Sequence, residues 1–167
     1  MLKKFVWLVS ILLVCSFVLT ACAKEPVVEE PAAVDCRAQT TSEAVGSYQV
    51  PAPIDGCYNV AYVYVGPHDD GGWSQSHDVG RLWVEENLEG VHTAYVENVA
   101  EGADSEQVTR SLARKGFDVI FTTSFGFMDS SETVANEFPN VDIIHVSGYK
   151  ANGENFGNLM GAMENIK

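Results

Sequence analysis

The chain has 167 residues, with 10 lysines and arginines against 23 aspartates and glutamates, which gives a formal net charge of −13 at pH 7. Such an acidic surface repels phosphate backbones and anionic lipid headgroups, so neither nucleic acid nor a membrane held through a basic patch is expected as a partner. The acidity identifies no substrate by itself.

Residues 1–21 have the pattern of a secretory signal, because Lys3 and Lys4 precede an apolar run from Phe5 to Leu19. The run leads into Leu19-Thr20-Ala21-Cys22, which resembles the lipobox of bacterial lipoproteins, in which the cysteine becomes the lipidated N-terminus. That resemblance implies a lipid anchor on Cys22 and a location at the cell membrane, outside the cytoplasm. An ordinary secretory signal or a signal anchor remains the alternative.

Residues 22–56 are predicted to be a flexible, acidic linker that contains several prolines. The stretch "AKEPVVEEPAAVD" has no apolar periodicity, and Pro51 and Pro53 disfavour regular structure, so we expect order to begin near Tyr58. The domain predicted after this linker spans residues 57–167.

Cys36 and Cys57 are the cysteines that remain once the signal and Cys22 are set aside. In an exported chain such a pair can form a disulfide, which would close a loop of about 20 residues and stabilise the fold by about 3 kcal/mol. Two free thiols are the alternative, and the spacing is not that of a zinc or redox site.

Strands and helices are predicted to alternate from Tyr58 onward. Strands are expected at 58–66, 91–99, 117–125 and 141–148, and helices at 74–88, 104–116 and 129–138. In the first helix, the roughly helical spacing of Val79, Leu82, Trp83 and Leu88 predicts an apolar face. This order predicts an α/β fold with a doubly wound parallel sheet that helices cover on both faces.

Ligands of such sheets bind beyond the carboxyl ends of the strands, which directs attention to the loop after the first strand. There Trp73 follows two glycines and could offer its flat face to a heterocycle, while Asp70 could accept hydrogen bonds from it. An equal alternative is that Trp73 packs into the core and Asp70 caps the following helix.

The loop after the third strand, "TTSFGFMDS", offers Ser124, Gly126 and Phe127 next to the first loop if the two strands are neighbours. Dinucleotide and P-loop fingerprints are missing, and no metal or other cofactor is predicted. His145 lies within the fourth strand, where a buried structural histidine is expected rather than a general base.

Together with the lipobox, the Asp-Asp-x-x-aromatic loop, "YVENVAEGADSEQVTRSLARKGFDVIFTTSFGFMD" and "NEFPNVDIIHVSGYK" resemble the basic membrane protein family. These are substrate-binding lipoproteins of ABC importers that carry purine nucleosides or purine bases. The resemblance implies a two-lobed fold like that of type I periplasmic binding proteins, of which residues 57–167 would be the first lobe. It also implies ABC permease subunits as partners and no catalytic residues.

By the same resemblance, Trp73 stacks on the purine, Asp70 hydrogen-bonds it and Ser74 stands where the family commonly has asparagine. The stretch from Ser124 through Gly126 to Phe127 would line the other side of the pocket. Because Trp73 and Ser74 differ from the residues that are common in the family, the resemblance does not decide between a nucleoside and a free base as the ligand. Two other hypotheses are an exported hydrolase or transferase that uses Asp70 with His68 or His145, and a sugar or peptide sensor lobe.

Overall fold

The computed structural model describes residues 33–159, so the predicted signal at 1–21 and the lipidation site Cys22 lie outside the described residues. No helix among residues 33–159 is long and apolar enough to cross a membrane. All described residues except Ala33 belong to one compact unit, which begins at Val34.

A short antiparallel hairpin forms before the domain predicted at residue 57. Its strands are β1 (Ser42–Val45) and β2 (Tyr48–Pro51), and Ser42 pairs with Pro51. The prediction of irregular chain up to residue 56 is therefore wrong here, because Val50 is fully buried in the main core. Pro51 is compatible with the strand because it lies at its last position.

In the described part of the chain, the main sheet has five strands, and all of their pairs are parallel. The strands are β3 (Tyr58–Val63), β4 (Val91–Val96), β5 (Val119–Thr122), β6 (Asp142–His145) and β7 (Phe156–Asn158), in the spatial order β4-β3-β5-β6-β7. The four predicted strands exist but are shorter at their carboxyl ends, and β7 is an additional strand. The α/β class and the parallel sheet are confirmed.

Helices cover both faces of this sheet. They are α1 (Trp73–Asn87), α2 (Ala103–Lys115) and α3 (Met128–Glu137), and a single 3₁₀ turn, Phe125–Phe127, precedes α3. On one face, α2 and α3 pack Val108, Leu112 and Val134 into the main core. On the other face, α1 lies over a smaller cluster of strand side chains around Tyr62 and Tyr64.

The inward side of α1 is polar, which contradicts the predicted apolar face. Val79, Leu82, Trp83 and Leu88 are exposed, whereas Ser74, Asp78 and Arg81 are buried. Arg81 Nε donates to Asp78 Oδ1 at 2.6 Å, and the Tyr64 hydroxyl donates to the same oxygen at 3.2 Å. The buried Tyr64 hydroxyl, just after β3, needs an acceptor, so the side of α1 that carries Asp78 is the side that packs against the sheet.

A disulfide joins Cys36 to Cys57, with the Cα atoms 5.8 Å apart. It connects the segment before the hairpin to the residue just before β3, so both ends of the hairpin region are held against the domain. Lys115 Nζ in the last turn of α2 also donates to Glu43 of β1 at 2.8 Å. The hairpin is thus an integrated part of the fold.

Candidate functional site

The strand order places a topological switch point between β3 and β5. From β3 the chain passes to β4 on one side, and it then returns to β5 on the other side of β3. The loops that leave β3 and β5 therefore diverge at the carboxyl edge, where open parallel sheets have their binding crevices. Trp73 follows the loop that leaves β3, and Ser124 and Gly126 follow β5, so the structure brings these predicted residues together.

Trp73 is the first residue of α1, and its side chain is 45% exposed at this edge. The indole Nε1 donates a hydrogen bond to the backbone oxygen of Thr123, just after β5. The ring of His77 meets the indole edge to face, with centroids 4.8 Å apart. The polar edge of the indole is therefore satisfied within the protein, and much of the ring remains open to solvent.

Asp70 organises the loop that precedes Trp73. Its carboxylate accepts hydrogen bonds from the backbone N–H groups of Gly72, Ser74 and Gln75, at 2.8, 3.1 and 3.0 Å. The bonds from Gln75 and Gly72 hold the pKa of Asp70 below its ordinary value. This is the helix-capping alternative considered from the sequence, and it keeps a charged carboxylate at the start of α1.

Ser74 is fully buried, and its hydroxyl accepts a hydrogen bond from the Gly66 N–H at 3.3 Å. The structure therefore gives Ser74 the role of fastening the loop back onto the end of β3. It does not place the side chain on the exposed edge beside the indole, which corrects the expectation that Ser74 contacts a ligand.

The loop after β5 presents a different aromatic ring from the one expected. Phe127 is fully buried in the main core, so it does not line the exposed edge, and the expectation for this residue is corrected. The 3₁₀ turn places residues 125 and 127 on different sides, and Phe125 is 58% exposed. Gly126 and the hydroxyl of Ser124 face a carboxylate instead of an open pocket.

That carboxylate belongs to Glu101, in the loop after β4, which was not among the site residues predicted from the sequence. Glu101 Oε1 accepts a hydrogen bond from Ser124 Oγ at 2.6 Å and one from the Gly126 N–H at 3.2 Å. A Cβ atom at residue 126 would lie 2.1 Å from Glu101 Cδ, so the close approach requires glycine. The only sequence signal for Glu101 was an acid at a strand end.

The histidines proposed for a hydrolase do not hydrogen-bond Asp70 among the described residues. His68 Nδ1 lies 2.8 Å from Glu97 Oε2, and this hydrogen bond raises the pKa of His68. His145 is fully buried, and its Nε2 hydrogen-bonds the backbone oxygen of Ser124 at 2.7 Å. Burial lowers the pKa of His145, partly offset by that hydrogen bond.

A groove of about 230 Å³ lies beside Trp73 on the α1 side of the sheet. Tyr62, His77, Phe121, Thr123, Val146 and Leu159 are among its lining residues. It is smaller than the roughly 300–1,000 Å³ that is usual for small-molecule sites. A larger hollow of about 370 Å³ lies at the β4 edge, away from Trp73, but the Arg81 charge there is already paired with Asp78 and Glu85.

The sequence is similar to binding proteins of small-molecule ligands. The family described as Bmp, "ABC transporter substrate-binding protein PnrA-like", matches residues 57–166. A purine-binding protein of Brucella abortus is 48% identical over 92 residues, which are 54% of this chain and 26% of that protein. A Haloferax volcanii protein, provisionally named as an ABC transporter glucose-binding protein, is 38% identical over 73% of this chain and 31% of its own length. The chain spans about a quarter to a third of the length of these relatives.

Solved structures support the fold. An ABC transporter solute-binding protein from Conexibacter woesei superposes with a TM-score of 0.54 at 20% identity, over 61% of this chain and 34% of its own. A solute-binding protein from Aeropyrum pernix gives a TM-score of 0.52 at 23% identity, over 60% and 27% of the two chains. At these identities the likeness concerns the fold alone.

Proposed function

Because the chain belongs to the Bmp family of PnrA-like ABC transporter substrate-binding proteins, which work outside the cytoplasm, we propose that it captures a purine nucleoside or purine base for an ABC importer. The proposal includes a lipid anchor on Cys22 and permease subunits as partners. It treats the chain as a non-enzymatic receptor lobe, in keeping with a family of binding proteins.

The observation that carries this proposal is the exposed indole of Trp73 at the switch point. A purine is flat and aromatic, and stacking on an aromatic side chain contributes about 1–3 kcal/mol per base in nucleic-acid binders. The hydrogen bond from Trp73 Nε1 to Thr123 fixes the ring across the boundary between the β3 and β5 loops. The name of the Brucella abortus relative adds independent support for a purine.

The binding site in this proposal has a second side that the described residues do not supply. The groove beside Trp73 is open and small, and one stacking face provides only part of the contacts that bury a ligand. We propose that a second lobe closes over the first by a hinge motion, as in other ligand-clamping proteins. The described lobe by itself should therefore bind weakly and still favour flat heterocycles.

Saturation-transfer NMR with the full chain tests the proposal, because it detects weak ligands directly. We expect adenine, adenosine, inosine or guanosine to receive saturation from the protein and to compete with one another. Trp73→Ala should weaken the affinity by about 10- to 100-fold, the equivalent of one lost stacking contact. Trp83→Ala is the matched control, because Trp83 lies in the same helix and is 58% exposed.

Absence of a signal with every purine, or equal binding by the Trp73→Ala variant and the unchanged protein, would contradict the proposal. Glucose belongs in the same panel, because the Haloferax volcanii relative is named for glucose and aromatic rings also pack against sugars. A Trp73-dependent signal from glucose, with none from purines, would favour sugar binding as the function.

A further inference from the structure

The Glu101 carboxylate is held in a defined position at the same edge as Trp73. One of its oxygens, Oε1, accepts the hydrogen bonds from Ser124 and Gly126 described above. The other oxygen, Oε2, would lie 2.3 Å from a Cβ at residue 126, so the whole carboxylate rests on the bare backbone of that glycine. A long, exposed side chain is thereby fixed at its charged end.

The residue that supports this carboxylate is itself buried and hydrogen-bonded. Ser124 is buried, and its backbone oxygen is held by the buried ring of His145 at 2.7 Å. Thr123, the preceding residue, accepts the indole hydrogen bond of Trp73. Two consecutive residues after β5 therefore hold the indole and the carboxylate, so both groups are anchored at the same carboxyl edge of the sheet.

Within residues 33–159, no cation forms an ion pair with the Glu101 carboxylate. The ion pairs among residues 33–159 involve other acids, and none includes Glu101. In the same part of the chain, the hydrogen bonds to this carboxylate go to Oε1. A carboxylate has about four lone-pair positions, so Oε2 retains the capacity to accept hydrogen bonds from a ligand.

We propose that Glu101 is a specificity-determining residue of this site, and that Oε2 accepts a hydrogen bond from an N–H or O–H donor on the ligand stacked against Trp73. In a purine the donor is a ring N–H, an exocyclic amine or a sugar hydroxyl. The same fixed negative charge selects against ligands that carry a phosphate. This inference rests on the proposed function, since it assigns a partner atom to the same ligand.

Glu101→Gln in the full chain is the direct test, because glutamine keeps the shape and the acceptor for Ser124 but loses the charge. With adenine and adenosine as separate ligands in saturation-transfer titrations, we expect the Kd of at least one of them to rise by about tenfold or more, as for a lost charge-assisted hydrogen bond. Glu89→Gln is the matched control, because Glu89 is an exposed acid in the loop between α1 and β4, at the opposite end of the sheet. This control should leave the Kd unchanged.

Gly126→Ala provides a second variant that retains every charge. The added methyl group would occupy the position of the Glu101 carboxylate and push it off Ser124, so the affinity should fall in the same direction. Comparison of adenine with 9-methyladenine and adenosine then identifies the donor. If the donor is the N9–H, 9-methyladenine should bind the unchanged protein more weakly than adenine does. The two ligands should then bind the Glu101→Gln variant with equal affinity. If the donor is a sugar hydroxyl, Glu101→Gln weakens the binding of adenosine more than the binding of adenine.

The outcomes separate this inference from the proposed function. Purine binding that depends on Trp73 but is equal in the unchanged protein and in Glu101→Gln would overturn the role of Glu101 and leave the proposed function intact. Absence of all purine binding would overturn both. Circular-dichroism melts of each variant show whether the protein remains folded, which we expect because Glu101 is exposed.

Discussion

Two glycines at the carboxyl edge of the sheet should differ in how much stability the protein loses when each is replaced by alanine, because different atoms occupy the space beside them. At residue 148 an added Cβ would lie 2.2 Å from His145 Nδ1 and 2.9 Å from Met128 Sδ. His145 is a fully buried ring, so it cannot turn aside into solvent. At residue 126 the obstructing atoms are the end of the exposed Glu101 side chain, which can leave its hydrogen bonds with Ser124 and Gly126 and turn into solvent.

Gly148→Ala should therefore destabilise the fold by about 1–3 kcal/mol, the usual cost of overpacking a buried site. Gly126→Ala should change the free energy of unfolding by less than about 0.5 kcal/mol, as surface substitutions usually do. Neither glycine has a positive φ, so backbone strain does not contribute to the difference.

Urea denaturation followed by circular dichroism measures both free energies. With an m value of about 2 kcal/mol/M, the midpoint for Gly148→Ala should fall by about 0.5 to 1.5 M, whereas that for Gly126→Ala should hardly move. An equal loss in the two variants, or a Gly148→Ala protein as stable as the unchanged one, would refute the packing described around His145.

Two further predictions concern the N-terminal segment and the histidines. Replacing Cys36 and Cys57 with alanine should cost about 2–5 kcal/mol, measured by urea denaturation against the oxidised protein, and a loss below about 0.5 kcal/mol would contradict the bond. In an NMR titration, the pKa of His68 should lie above its ordinary value because of its hydrogen bond to Glu97, and the pKa values of His77 and His145 should lie below it because of burial. The His68 contribution to stability is thus present at acidic pH and lost as the pH rises through its folded-state pKa, whereas His145 disfavours the fold as the pH falls below about 6.5. Glu97→Gln should lower the pKa of His68, and an unchanged value would refute the pairing.

The order of strands and helices could be predicted from sequence because it depends on local hydrophobic periodicity. The hairpin could not, because burial of Val50 depends on packing against elements that lie far along the chain. The identity of the buried face of α1 could not be predicted from the sequence either. Its burial depends on Tyr64 hydrogen-bonding Asp78, a match between two elements that no single-segment pattern contains.

In the candidate site, too, local sequence patterns could be interpreted, whereas contacts between distant residues could not be predicted. Trp73 could be found because glycines beside an aromatic residue at a strand end form a local signal, and the structure leaves its ring exposed. The choice between Phe125 and Phe127 could not be made, since it depends on the phase of a single 3₁₀ turn. Glu101 was missed because its partners lie more than twenty residues away, after the next strand.

The hydrogen bond from the Trp73 indole to Thr123 has a consequence for the thermodynamics of capture. Because the Trp73 side chain is already immobilised, it loses little conformational entropy when a ligand binds. The corresponding loss of entropy occurs during folding and not during binding. A phenylalanine at residue 73 would offer a comparable flat surface without the N–H that restrains it. Its encounter with the same ligand should therefore carry a less favourable entropy, which calorimetry can resolve from the enthalpy of contact.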